Sequence, residues 1–432
     1  MLLFGKEISM KIFLPYDRIT LEADLPDSRV AAVLCPRRPA SECALSQEQL
    51  VQDALAHPIG SLPLNRLAES ARRVLILSSD HTRPVPSRVI MPLLLLEIRK
   101  GNPKAEIIIL VATGCHRPST GEELIEKYGA EIVASERILM HDSGDEAALV
   151  DKGTLPSGGK LRLNSLVDWA DLMVAEGFIE PHFFAGFSGG RKSVLPGMAA
   201  RETVLHNHCA AFIAHEKTRT GILAGNPIHE DMVYAARVAG LKFIINVALD
   251  ENKQILKAWA GDPIAAHEEG CMYVKRHACV PAVQGDIVIT TNGGYPLDQN
   301  IYQAVKCMTA AEACVRPGGT IIVAAACKDG HGGDYFFKQC SQPLLPEEIW
   351  NQLLSVPAGQ TRPDQWQTQI FMRVLQRARV IMVADPLCRD WIEKMHMTPA
   401  ESIEKALALA EEMAPGGSFV VIPDGVSVII GE

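Results

Sequence analysis

At 432 residues, with 47% hydrophobic and 22% charged residues, the chain has the composition of a folded globular protein and is too long for one ordinary core, so two domains are expected. A formal net charge of −9 argues against a general nucleic-acid binder, which needs a basic surface. No run approaches the roughly 20 apolar residues of a membrane span, and the first apolar run is broken by Lys6 and Glu7, unlike a secretion signal, so a soluble cytoplasmic protein is expected.

Residues 8–15 and 19–25 alternate apolar and polar side chains, as in a small antiparallel hairpin. Short continuous apolar runs follow at residues 73–77, 105–112, 172–175, 243–249, 286–290, 320–326, 380–384 and 419–422. Such runs suit strands buried on both faces of a parallel sheet. Helical periodicity occupies residues 85–100, 121–128, 227–239, 263–276, 300–314, 346–354, 365–377 and 400–413. The alternation predicts an α/β protein with mainly parallel sheets. The expected domains are residues 1–274, joined by the C-terminal segment 414–432, and a smaller α/β domain over residues 285–413. Residues 275–284, where neither period is strong, mark the boundary. Eleven cysteines without a CxxC pair read as reduced thiols, mostly in the core.

In open α/β sheets ligands gather beyond the carboxyl ends of strands, and there this chain concentrates its chemistry. SSDHTRP, residues 78–84, places Asp80 three positions before Arg83. Arginine grips carboxylate or phosphate through two parallel hydrogen bonds, and a neighbouring Asp orients it or a histidine; a surface salt bridge is the plainer reading. TGCHRP, residues 113–118, offers His116, and His182 follows Pro181. A lone histidine there is more often structural, but two facing one substrate carbon serve as alternating general base and acid. In GFSGGRKSVLPG, residues 186–197, Ser188, Gly189, Gly190 and Arg191 precede Lys192. The loop reads as a phosphate cradle, or as a setting where a cationic neighbour and partial burial favour an uncharged, nucleophilic lysine. His206-Asn-His208 has the spacing of some metal pairs, yet no zinc spacing such as HExxH accompanies it. One histidine completing a metal already held by a cofactor stays open. Gln303 and Lys306 share a helix face and suit an anion near the helix start, or simply a solvated face. No GxGxxG fingerprint follows an early strand, which argues against an NAD enzyme.

Taken in order, SSDHTRP, ATGCHRP, EPHFFAGFSGGRKSVLPG, HNH and DQNIYQAVK resemble the motifs of the nickel-dependent lactate racemase family, over nearly the whole chain. The resemblance implies two α/β domains with the active site in the cleft between them. It also implies a nickel-pincer nucleotide, a pyridinium-3-thioamide-5-thiocarboxylic acid mononucleotide that holds nickel through sulfur, carbon and sulfur. By resemblance, Lys192 forms the covalent thioamide link, His208 fills the fourth position on nickel, and His116 and His182 are the acid/base pair. Asp80, Arg83, Gln303 and Lys306 hold substrate and order the histidines, while the loop from Ser188 to Arg191 holds the nucleotide phosphate. Trp366 resembles an aromatic that closes over the substrate, and with Tyr302 it favours a short, uncharged tail. The implied reaction inverts C2 of a small 2-hydroxy acid, with lactate preferred, by hydride transfer through a 2-keto acid. The same chemistry on malate or a sugar acid such as gluconate is the alternative, and a non-catalytic nucleotide-binding protein the second. The implied partners are the substrate and cofactor-maturation enzymes, with neither nucleic acid nor membrane; a homo-oligomer is compatible.

Overall fold

The computed structural model describes residues 8–37, 45–250 and 252–431, which form two compact units. The first holds residues 45–208 and 215–276; the second holds residues 8–37, 209–214 and 277–431.

In the first unit six strands run in the order Ile255–Gly261, Leu241–Leu249, Leu172–Phe178, Arg73–Ser79, Glu106–Ala112 and Arg137–Met140. Every neighbouring pair is parallel except the first. Leu75, Ile76, Leu77, Ile109, Leu110 and Val174 are wholly buried, so the unbroken apolar runs have no wet face and require layers on both sides. One layer is the Ser87–Gly101 helix, which turns Ile90, Met91, Leu94, Leu95 and Ile98 inward along one stripe. Another helix, Pro227–Ala239, starts where the Asn226 side chain accepts from Ile228 and His229 amides and stops at the left-handed Gly240. The parallel register pairs Ser79 with Ala112 and Leu77 with Ala175. Three carboxyl ends, leading to Asp80, His116 and His182, therefore meet on one edge of one sheet.

The second unit has a wholly parallel sheet in the order Thr398–Ala400, Arg379–Val383, Val315–Ala324, Gly285–Thr291, Phe419–Ile422 and Val30–Val33. The Ser9–Tyr16 and Ile19–Pro26 hairpin covers it with Ile12, Leu14, Ala23 and Leu25, which join the core of Ile287, Ile322 and Val421. Here the placement of the chain ends differs from the sequence reading. Residues 8–37 and 414–431 both belong to the second unit rather than to a domain spanning 1–274. Val420, Val421 and Ile422 have no exposed surface and so need strand neighbours on both sides, which Gly285–Thr291 and Val30–Val33 provide. A short helix, Ala210–Ala214, also belongs to this unit, where the Gln369 amide donates to the Ala210 carbonyl at 2.9 Å.

The ten described cysteines form no disulfide with one another. No helix among the described residues is long and apolar enough to cross a membrane.

Candidate active site

At the end of the Arg73–Ser79 strand the Asp80 carboxylate is buried, and His116, half exposed, places Nδ1 2.7 Å from its Oδ2. The other oxygen, Oδ1, accepts from the Thr82 hydroxyl at 2.6 Å and the Thr82 amide at 3.0 Å. Burial alone would push the Asp80 carboxyl up, but the His116 hydrogen bond and charge, the Thr82 hydroxyl and the Arg83 charge together bring it down to about 2. An ionised Asp80 fixes the proton of His116 on Nδ1 and leaves Nε2 able to take another. The half-buried Arg83 guanidinium makes no hydrogen bond or ion pair among the described residues, and so remains available to a substrate carboxylate. The loop leading to His116 is held too: Gly114, at φ +58°, donates to the Gly197 carbonyl at 3.0 Å, tying this loop to the end of the Lys192 loop.

The second cluster surrounds Phe184. His182 meets its ring edge-on at 4.5 Å between centroids, and His208 does so at 5.1 Å. Lys192 Nζ stands 5.6 Å from the ring centre and 3.3 Å from His182 Nε2. A two-residue ladder pairs His182 with Gly186, and the Ala185 amide donates to His182 Nδ1 at 3.2 Å. That contact puts the ring proton on Nε2, the atom that faces Lys192 Nζ. His208 is wholly buried and donates from Nδ1 to the Val204 carbonyl at 2.9 Å, so the lone pair lies on Nε2. Burial, followed by the Lys192 charge, lowers its pKa to about 3 and keeps the imidazole neutral.

The glycine-rich loop, expected as a phosphate cradle, engages much of its polar chemistry within the protein. Ser188 Oγ accepts from the Glu180 amide and donates to the Phe178 carbonyl, both at 2.9 Å, while its own amide donates to Glu180. Gly190, with φ +53°, donates its amide to Asn246 Oδ1 at 2.8 Å. Gly189 is equally left-handed at φ +76°, and a Cβ there would fall 2.7 Å from Asn246 Oδ1. Arg191 is 1% exposed and turns inward. Its Nη2 donates to the Ala185 carbonyl at 2.7 Å, and its Nη1 lies 3.0 Å from His267 Nε2 and within reach of the Ser188 and Gly189 carbonyls. No carboxylate among the described residues pairs with this cation, whose burial brings it down to about 10. On the tight turn Gly190–Ser193 one cation faces the core and the next faces the histidines.

In the second unit, Gln303 and Lys306 lie on the first turns of Ile301–Cys314, whose cap is the Asn300 side chain accepting from the Gln303 amide. Gln367 donates to the Tyr302 carbonyl at 2.5 Å, which brings the start of the Gln365–Arg377 helix, and with it Trp366, beside Tyr302. All four proposed substrate residues of this unit are thus half-buried at two adjoining helix starts.

Several supporting residues escaped the sequence reading, among them Thr82, Phe184, Asn246 and His267. Glu123 had a visible signal, the Thr120-x-x-Glu123 capping box. Its carboxylate caps the Gly121–Tyr128 helix and grips Arg117 at 2.6 and 2.9 Å, fixing the exit of the His116 loop.

No three His, Cys, Asp or Glu side chains among the described residues gather as a metal-holding group. A metal here would take most donors from a cofactor, and His208, neutral with its lone pair on Nε2, is the kind of single ligand that would complete such a set.

Two oriented histidines, a lysine beside one of them and a buried neutral imidazole on one α/β unit suit an enzyme that moves protons on a small substrate. Residues 16–221 match the lactate racemase N-terminal domain and residues 280–430 the lactate racemase C-terminal domain. The lactate racemase of Thermoanaerobacterium thermosaccharolyticum is 50% identical over 98% of this chain and 99% of its own. That of Lactiplantibacillus plantarum is 51% identical over 97% and 99%. The solved structure of the T. thermosaccharolyticum apoprotein superposes with a TM-score of 0.95, covering 98% of this chain and 100% of that one. The chain belongs to the lactate racemase family, a family of isomerases.

Proposed function

We propose that this chain interconverts the enantiomers of lactate in the cytoplasm, passing through pyruvate, with a nickel-pincer nucleotide attached to Lys192 and ligated by His208. The observation that supports it best is the joint placement of the Asp80–His116 pair and the His182–Lys192–His208 cluster in a chain about half identical to two lactate racemases. When bound, the nucleotide would supply reversible hydride-accepting chemistry at C2 of the substrate. The protein does the rest. His116 Nε2 takes the hydroxyl proton of one enantiomer while Asp80 stabilises the resulting imidazolium. His182 is the acid/base group for the other enantiomer. Arg83 grips the carboxylate, and Tyr302, Gln303, Lys306 and Trp366 bind substrate and exclude water. Cofactor-maturation enzymes are the expected partners.

The test is protein produced together with the maturation enzymes and incubated with pure L-lactate, with D-lactate followed by chiral chromatography. Conversion should be absent in K192A, and an adduct mass with nickel should be present on wild type alone. A wild type that holds nickel and adduct but leaves lactate untouched overturns the substrate; malate and gluconate are then assayed. A K192A protein that still holds the adduct overturns the attachment site.

A further inference from the structure

Glu176 lies on the central strand Leu172–Phe178 and is 1% exposed. Its Oε1 accepts two hydroxyl groups, Ser78 Oγ at 2.5 Å and Ser87 Oγ at 2.5 Å. These serines are the two ends of one loop. Ser78 lies two residues before Asp80, and Ser87 opens the Ser87–Gly101 helix just after Arg83-Pro84-Val85-Pro86. Both serines are buried as deeply as the glutamate. The Tyr128 hydroxyl donates to Ser78 Oγ at 2.7 Å, and Lys127 Nζ donates to Ser79 Oγ at 3.2 Å. Tyr128 and Lys127 end the helix that follows the His116 loop. Glu176 Oε2 has no hydrogen-bond partner among the described residues.

We propose that Glu176 is a positioning residue for the reaction, a buried clasp that closes the 79–86 loop on itself and so holds Asp80 and Arg83 in working register with His116. A buried carboxylate is a costly way to fill a sheet interior, and two short hydrogen bonds to one oxygen are what make it tolerable. A loop containing two prolines still has freedom at Asp80–Arg83, and fixing both ends removes it. Through Ser78 and Tyr128 the same clasp reaches the helix behind His116, so the loops bearing the two halves of the Asp80–His116 pair rest on one group. The inference depends on reading His116 as catalytic and Arg83 as a substrate ligand.

The test uses cofactor-loaded E176L and E176Q beside wild type, with the 15N shifts of the His116 ring recorded on the same proteins without cofactor. In E176L kcat should fall about 30-fold and KM for lactate rise about 10-fold, because Asp80 and Arg83 are loosened together. The His116 ring should lose its fixed Nδ1–H form. E176Q keeps one acceptor oxygen, which is all that the clasp uses, and should stay within about threefold of wild type. E176L with wild-type kcat, KM and ring shifts overturns the proposal, as does an E176Q impaired as severely as E176L. If E176L does not fold, S87A decides the question, since it opens the clasp on the Arg83 side and should raise KM more than it lowers kcat; an unchanged KM overturns the proposal. The ring shifts need neither substrate nor cofactor, so failure here is separable from failure of the lactate reading.

Discussion

His116 and His182 occupy loops of the same unit, yet one ring is backed by a buried carboxylate and the other by a backbone amide. Asp80 accepts from His116 Nδ1 at 2.7 Å, so Nε2 can gain a proton while an anion balances the charge. The Ala185 amide donates to His182 Nδ1 at 3.2 Å, which leaves the proton on Nε2 and opposes a second one on the ring. A ring set to gain a proton and a ring held in its Nε2–H form thus coexist in a site meant to treat two enantiomers alike. The surroundings differ in the same sense. Beneath His116 lies a carboxylate network, whereas the His182 loop rests on Arg191, a buried cation touched by carbonyls and the His267 ring. One cradle is built on negative charge and the other on positive. In the proposed reaction both rings handle the hydroxyl proton, and the protein supports each by different means.

The sharpest way to break this contrast is D80N. An Asn amide can donate to His116 Nδ1 and so impose the wrong tautomer without altering the shape of the site. The expected loss is about 10³-fold in kcat, about 4 kcal/mol, with KM little changed. Steady-state kinetics from each enantiomer measure it. A loss below tenfold would mean that Asp80 does not govern the tautomer, and the two cradles would then be equivalent.

Acid should separate the cradles without any mutation. His267 is 2% exposed and its pKa lies well below 6.5, through burial first and then the Arg191 charge. The unfolded chain therefore takes up this proton as pH falls below 6.5 while the folded chain does not, so stability drops on acidification. At pH 5 one such imidazole removes about 2 kcal/mol. Asp80, lowered from 3.8 to about 2, works in another window: its contribution is full above 3.8 and is lost only as pH falls towards about 2. Between pH 6 and 4 the Arg191 side should therefore loosen while the Asp80 side stays intact. Hydrogen exchange of residues 186–197 against residues 78–86 reads this directly, and H267Q should flatten the response. Equal acid sensitivity in both segments, or an unchanged response in H267Q, counts against it.

Much of this was legible in the sequence because burial on both faces leaves unbroken apolar runs, and Arg73–Ser79, Glu106–Ala112 and Leu241–Leu249 emerged close to their expected positions. Edge strands were not legible. Ile255–Gly261 exposes or half-exposes three successive residues, Leu256, Lys257 and Ala258, and Arg137–Met140 is nowhere fully buried, so neither has the continuous pattern. Phe419–Ile422 was recognised as a strand but assigned to the wrong domain, since an apolar run states that it needs neighbours without stating which. At the site, residue types and order pointed to Asp80, His116, His182, Lys192 and His208. The direction of Arg191 was misread because adjacent residues on a tight turn point to different sides, and only the packing of Gly190 against His267 decides which side is the core. Phe184, central to three of the functional side chains, gave no signal beyond being apolar.

Two hydroxyl deletions, one in each cradle, refine the comparison. S188A removes a group that joins the Glu180 amide to the Phe178 carbonyl inside the His182 loop. Both backbone groups are buried or nearly so, and losing their shared partner should cost about 2 kcal/mol of stability by thermal melt, with little effect on the His182 tautomer. T82V is the smaller change. It deletes the 2.6 Å hydrogen bond to Asp80 Oδ1 but keeps the Thr82 amide bond to the same oxygen at 3.0 Å. Thr82 is exposed, so its loss leaves no buried group unpaired and stability at neutral pH should barely move. Asp80 is held less firmly and its carboxyl rises from about 2 towards 3.8, so less stability should be lost as pH falls from 3.8 towards 2. The kcat should fall about fivefold, about 1 kcal/mol, and T82S should restore it. A hydroxyl beside Asp80 would then act on rate and one beside His182 on stability, as expected if the first ring is held by electrostatics and the second by the fold. Should T82V lower the melting temperature as much as S188A while leaving kcat intact, that division of labour fails.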